Sequence, residues 1–190
     1  GEAEVVVTTR PELALAAPRA VLALGVPAPK GAVALCLVTQ AETLAEMVLE
    51  GEPTPARAAQ AVAQGMAAGG KGGAIVNLST VIGLVDGANR CVYSATKHAI
   101  EGLTKAMAVE LAPSGVRVVS VAPTFVLTPM TEPMFADAAF RDSVLDMIPM
   151  RDMARPEDVA AGVVFLASEG ARLFTGDSLR IDGGWTARLV

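Results

Sequence analysis

The sequence predicts an α/β fold in which helices pack on a parallel sheet, and three observations predict it. Short runs rich in β-branched residues recur between Gly and Pro. Longer stretches with apolar residues every three to four positions lie between the later runs. The runs themselves are apolar throughout, as strands covered on both faces require. At 190 residues, 52% hydrophobic and 18% charged, the chain fits one globular domain over residues 1–190 and excludes disordered, collagen-like and coiled-coil classes.

Strands are predicted at Glu4 to Thr8, Ala20 to Leu24, Val33 to Thr39, Ala74 to Leu78, Val116 to Val121 and Ser178 to Ile181. Between Ala41 and Met66 a helical pattern is interrupted by Gly51, Pro53 and Pro55, which predicts two helices with a break. The clearest helix follows Arg90: Ile100, Leu103, Met107 and Leu111 form its apolar stripe, and Pro113, Ser114 and Gly115 close it. A further helix starts at Arg155, Pro156, Glu157 and Asp158, where proline suits the first turn and acids suit the positive helix end. Val159, Val163 and Leu166 form its stripe, and Gly170 is expected to end it.

Fifteen basic residues against twenty acidic ones give a net charge of −5, and without a basic stripe a nucleic-acid partner is excluded. Two cysteines, Cys36 and Cys91, and no secretory leader pattern point away from a disulfide framework and toward the cytoplasm. The longest apolar runs, such as Ala32 to Val38, are far short of the roughly 20 residues of a membrane helix, so no membrane partner is expected. A mean hydropathy of +0.47 is high for a soluble monomer and predicts a homo-oligomer, a dimer or tetramer. His98 and the cysteines have no metal-ligand spacing, so no metal is expected; His98 reads as a surface helix residue.

Tyr93 and Lys97 are four apart on the helix after Arg90 and share a face. A phenol ordinarily titrates near pH 10, and a neighbouring ammonium lowers that value by stabilising the phenolate. The hydroxyl pair Ser79 and Thr80 ends a strand shortly before, and open α/β sheets bind ligands at the carboxyl ends of their strands.

Several segments carry a resemblance: Ile75-Val76-Asn77-Leu78-Ser79-Thr80, Tyr93-Ser94-Ala95-Thr96-Lys97, Gly115 to Pro123, Arg155 to Ala160, Thr175-Gly176, and Ile181-Asp182-Gly183-Gly184. From about Gly72 onward the chain resembles the short-chain dehydrogenase/reductase family, in particular its 3-oxoacyl reductases. The resemblance implies a Rossmann-like, doubly wound parallel sheet and hydride transfer between NAD(P) and a ketone or secondary alcohol. It makes Tyr93 the acid/base, and Lys97 the cation that acidifies it and holds the nicotinamide ribose. Thr80, at the position of the family's serine, would hydrogen-bond the substrate oxygen, with Ser79 as the fallback. Pro123-Thr124-Phe125-Val126-Leu127-Thr128 resembles the segment beside the nicotinamide, with a backbone group at Val126 and the Thr128 hydroxyl on the cofactor and Thr124 in place of the usual glycine. Met130, Met134, Phe135, Phe140, Met147 and Met150 lie on the stretch that covers the substrate in the family, and methionines adapt to irregular apolar shapes, so a hydrophobic carbonyl substrate is expected.

The front of the chain departs from the family. Gly25 and Gly31 flank a segment whose two prolines remove amide donors, so the glycine-rich phosphate turn is missing. Gly69 to Gly73 precedes a strand and reads as a turn. Gly1 to Arg10 resembles the family's second strand, and Ala23-Leu24-Gly25-Val26 stands about where an Asn-Asn-Ala-Gly segment follows the fourth. The fold is therefore expected to be N-terminally incomplete, the sequence omitting pieces of a longer parent. With Thr9 at the usual acid position and Arg10 after it, NADP is preferred over NAD, because an arginine there accommodates the 2'-phosphate. The reading from another class is a cofactor-free relative acting as an interaction or regulatory subunit.

Overall fold

The computed structural model describes residues 5–8, 34–38 and 55–188. Five strands form one sheet: β1 (Val5–Thr8), β2 (Ala34–Val38), β3 (Gly73–Leu78), β4 (Val116–Pro123) and β5 (Ser178–Ile181). They lie in sequence order, and every neighbouring pair is parallel. The helices are α1 (Pro55–Gly69), α2 (Cys91–Leu111), α3 (Glu132–Phe135), α4 (Ala138–Met147) and α5 (Pro156–Ala167).

Strand geometry sends successive side chains to opposite faces, and here both faces are covered. Ile75 and Val118 pair in register and pack with Val116 against Ala59, Ala63, Met66, Met107 and Ala108, so α1 and α2 cover one face. Val76 and Val119, the next pair, pack with Val121 against Val163 and Leu166 of α5 on the other. The result is the two-sided parallel sheet that the apolar strands predict, in the Rossmann-like arrangement that the resemblance implies. Leu179 of β5 joins the α5 face, and a Cβ on Gly162 would meet the Ile181 side chain at 2.7 Å, so the bare glycine lets α5 come close to β5.

The sheet corrects several expected boundaries. The strand beside β3 is Ala34–Val38; the segment from Ala20 to Leu24, and with it Ala23 to Val26, lies outside the described residues. Val5–Thr8 pairs directly with that strand, whereas the order 3-2-1-4 would keep a family second strand one place further out. β4 continues past Val121 to Pro123, because Ala122 and Pro123 pair with Arg180 and Ile181. α1 runs beyond Met66 to Gly69, and the expected helix before Pro55 lies outside the described residues.

α2 keeps the expected span. Its end tightens into a 3₁₀ turn at Ala112–Ser114, and Gly115 follows at φ 72°, the left-handed conformation in which glycine closes helices. α5 stops at Ala167, before the expected Gly170, because Arg117 reaches from β4 to its last carbonyls. Arg117 donates to Leu166 O at 2.6 Å and to Ser168 O at 3.3 Å, and a 3₁₀ turn over Glu169–Ala171 takes over. At the other end the Arg155 amide donates to the Asp158 carboxylate at 2.7 Å. Gly70 and Gly72, both at positive φ, form the expected turn into β3.

Candidate active site

A cleft of about 880 Å³ opens at the carboxyl ends of β3 and β4. It lies where a parallel sheet leaves its strand ends free for ligands. Its walls come from the end of β3 and the turn after it, the start of α2, the segment from Pro123 to Thr131, and Trp185.

α2 brings Tyr93 and Lys97 to this cleft together. Lys97 Nζ stands over the Tyr93 ring, 5.9 Å from its centroid, and donates to Leu78 O at 3.2 Å. The lysine is 4% exposed, and burial lowers its pKa to about 8, against an upward pull from Glu101. Close approach of α2 to the turn after β3 makes this burial possible. A Cβ on Gly83 would lie 3.0 Å from Lys97 O and 2.7 Å from Ser79 Oγ.

Consecutive residues at the strand end face opposite ways, which separates the two hydroxyls. Thr80 is half-buried at the cleft and donates to Pro123 O at 3.2 Å. Ser79 is 3% exposed, and its hydroxyl, turned toward Gly83, has no hydrogen-bond partner. Of the two, Thr80 has the accessible side chain. Thr124, at the position of the family's glycine, is a second buried cleft residue whose hydroxyl has no partner.

The segment after β4 is held as a fixed edge. Val126 forms a parallel bridge with Ala154, flanked by bonds from Leu127 N to Ala154 O and from Ala154 N to Phe125 O. Thr131 Oγ1 donates to Val126 O at 2.6 Å and lies 3.1 Å from Thr128 Oγ1. Pro123, Val126 and Thr128 therefore line the cleft beside Tyr93 and Lys97. Arg10, expected to select the cofactor, lies outside the described residues.

Phe125 stacks on Trp185 at 6.0 Å and meets Phe135 and Phe140 edge-on at 5.6 and 6.1 Å. Trp185 is set by the loop at Asp182, whose carboxylate accepts from the amides of Gly184 and Thr186 and from the Thr186 hydroxyl. Burial alone would raise the Asp182 pKa, but these bonds and the Arg180 charge hold it below the usual carboxylate value. Met130, Met134, Met147 and Met150 are all substantially exposed.

The sequence reading missed Glu101. It sits one turn beyond Lys97, 5% exposed, and accepts from the hydroxyls of Ser120 and Ser178 at 3.0 and 3.2 Å. Its signal was the spacing of Tyr93, Lys97 and Glu101 at two successive steps of four, which puts all three on one face. Arg90, at the mouth of the cleft, was also missed. His98 is exposed on α2, as expected, with Nδ1 3.0 Å from Ser94 O. Among the described residues no group of three or more His, Cys, Asp or Glu could hold a metal ion, and no helix is long and apolar enough to cross a membrane.

The family model described as Enoyl-(Acyl carrier protein) reductase matches residues 4–186. The chain belongs to the short-chain dehydrogenase/reductase family. The (3R)-3-hydroxyacyl-CoA dehydrogenase of Mus musculus is 42% identical over 125 residues, which is 66% of this chain and 48% of the relative. The L-xylulose reductase of Bos taurus is 41% identical over 128 residues, 67% of this chain and 52% of the relative. This short-chain dehydrogenase/reductase thus spans about half the length of the curated relatives it matches. A crystal structure of a gluconate 5-dehydrogenase from Burkholderia cenocepacia, in complex with NADP and tartrate, superposes with a TM-score of 0.75 at 25% identity, covering 100% of this chain and 87% of that one.

Proposed function

We propose that this chain carries the proton-transfer half of a hydride-transfer reaction between NAD(P) and a ketone or secondary alcohol. The observation that carries the reading is the buried Lys97 ammonium over the Tyr93 ring at the carboxyl end of a parallel sheet. Water is excluded around Lys97, so its charge acts on the phenol at low effective dielectric. That charge stands beside the group that would exchange a proton with a substrate oxygen, and Lys97 carries it below about pH 8. The Thr80 hydroxyl can accept from an alcohol while it donates to Pro123 O, and it can turn to donate to a carbonyl.

The donor set fits a nicotinamide end. Lys97 and Tyr93 would face its ribose, while Pro123, Val126 and Thr128 would line the ring's pocket. The unpartnered Thr124 hydroxyl is a buried polar atom of the kind that a bound polar group satisfies. The bound cofactor would give or take the hydride. NADP is favoured by Arg10 after Thr9 and by the NADP in the gluconate 5-dehydrogenase structure. The methionines and Trp185 support an apolar substrate body, and the exposed Val92 and Val109 of α2 support association of copies. The cytoplasm suits a chain with an exposed free thiol at Cys91.

Turnover and cofactor binding test the reading separately. Tyr93→Phe should lower turnover of a secondary alcohol by about a thousandfold, in the range general acid/base groups contribute, with NADPH fluorescence still changing on binding. Full activity in that variant would end the acid/base role. A flat NADPH titration of the unaltered protein would favour the cofactor-free relative.

A further inference from the structure

The cleft carries a charge pattern opposite to that of the chain. The protein has a net charge of −5, yet among the described residues lining the cleft there are two cations, Arg90 and Lys97, and no carboxylate. Lys97 is buried and stands over the Tyr93 ring. Arg90 is exposed at the mouth, in the residue before α2 and three positions ahead of Tyr93.

Its position is fixed by packing. The Arg90 guanidinium carbon stands over the Phe125 ring, 5.7 Å from the centroid, and Phe125 is itself held by Trp185, Phe135 and Phe140. A guanidinium attracted to a ring face keeps N–H donors at its edges, in the fork that matches a carboxylate. Among the described residues those donors have no hydrogen-bond or ion-pair partner. An anchored cation over an apolar wall, without a competing acid, is a site for one end of an amphipathic anion.

We propose that Arg90 determines specificity, by taking the carboxylate of an oxo or hydroxy acid whose apolar body lies along Phe125, Trp185 and Met130. This rests on the reading of Tyr93 as the acid/base, and it narrows the substrate from a hydrophobic carbonyl compound to a hydrophobic carbonyl acid. The phosphates of a dinucleotide are the other anions that could reach a cleft cation, so the test separates the two.

Trp185 is the sole tryptophan of the chain and stacks on Phe125, so its fluorescence reports occupancy without any turnover. The probes are 4-oxononanoate and its methyl ester, which share an oxo chain and differ in charge. The acid is expected to bind the unaltered protein about tenfold or more tighter than the ester, the range for a charge-assisted hydrogen bond. Arg90→Gln should remove that preference by weakening the acid, whereas Arg90→Lys, which keeps the charge and loses the fork, should restore part of it. In turnover the loss should fall on KM for the acid rather than on kcat.

Equal binding of acid and ester by the unaltered protein would overturn the proposal, as would an equal loss of both in Arg90→Gln. So would a loss of NADPH affinity in Arg90→Gln with acid binding intact, which would assign the cation to the cofactor. If Tyr93→Phe keeps full turnover, the acid/base reading falls, and the fluorescence titrations still decide the role of Arg90.

Discussion

Lys97 sits between two influences that the cleft sets against each other. Burial drives its pKa down to about 8, and Glu101, one turn further along the same face, pulls it up. Glu101→Gln keeps a polar group of the same shape beside Ser120 and Ser178 but removes the charge, so Lys97 should lose its proton at lower pH. With four lysines in the chain, the Lys97 side-chain carbon signal can be followed by NMR in lysine-labelled protein and assigned through Lys97→Arg. Glu101, on the same helix, is the charged group whose pull on Lys97 opposes the effect of burial. The expected result is a midpoint below that of the unaltered protein, and a Tyr93-dependent activity that falls off at correspondingly lower pH. An unmoved midpoint would show that Glu101 serves packing alone. The Tyr93 and Lys97 pair was legible in the sequence because spacing on a helix fixes a shared face. Glu101 was not, because a glutamate in mid-helix reads as solvated until β4 and β5 behind it are seen to offer one hydroxyl each.

α5 shows why helix ends were harder to read than helix cores. Its stripe of Val159, Val163 and Leu166 was evident from periodicity, and Val163 and Leu166 do pack on β4. Its end was misplaced because the residue that stops it, Arg117, is distant in sequence and belongs to another element. Arg117 brings positive charge and two donors to the carbonyl end of a helix, where both the dipole and the unpaired carbonyls favour it. Arg117→Met keeps much of the buried stem and leaves those carbonyls without a charged donor. It should destabilise the protein by about 1–3 kcal/mol, the range for hydrogen bonds to charged groups, seen as a lower urea midpoint at unchanged slope. The short helices α3 and α4 were read only as a substrate-covering stretch. Asp137, whose carboxylate accepts from the amides of Ala139 and Phe140, was the available signal for the start of α4.

Across the whole molecule, the sheet's two-sided burial was readable from the apolar runs, while the pairing of the early strands was not. β1 and β2 are short apolar runs of much the same composition as the segment from Ala20 to Leu24, and nothing local to them specifies a neighbour. The later strands give the cleft its base, and the cleft in turn costs the fold stability. A lysine titrating at about 8 when folded and 10.5 when unfolded binds fewer protons in the folded state between those values. Stability therefore rises with pH across that window, and the penalty is fully present below pH 8, amounting to about 3 kcal/mol at 1.36 kcal/mol per unit. Lys97→Met replaces the buried ammonium with an apolar chain of similar length. At pH 7 the variant should be more stable than the unaltered protein by a margin of that order, and the two should converge by pH 10.5. Urea unfolding at pH 7, 8, 9 and 10 measures both curves. A constant difference across the series would mean that Lys97 binds its proton equally in the folded and unfolded states, so that burial does not lower its pKa.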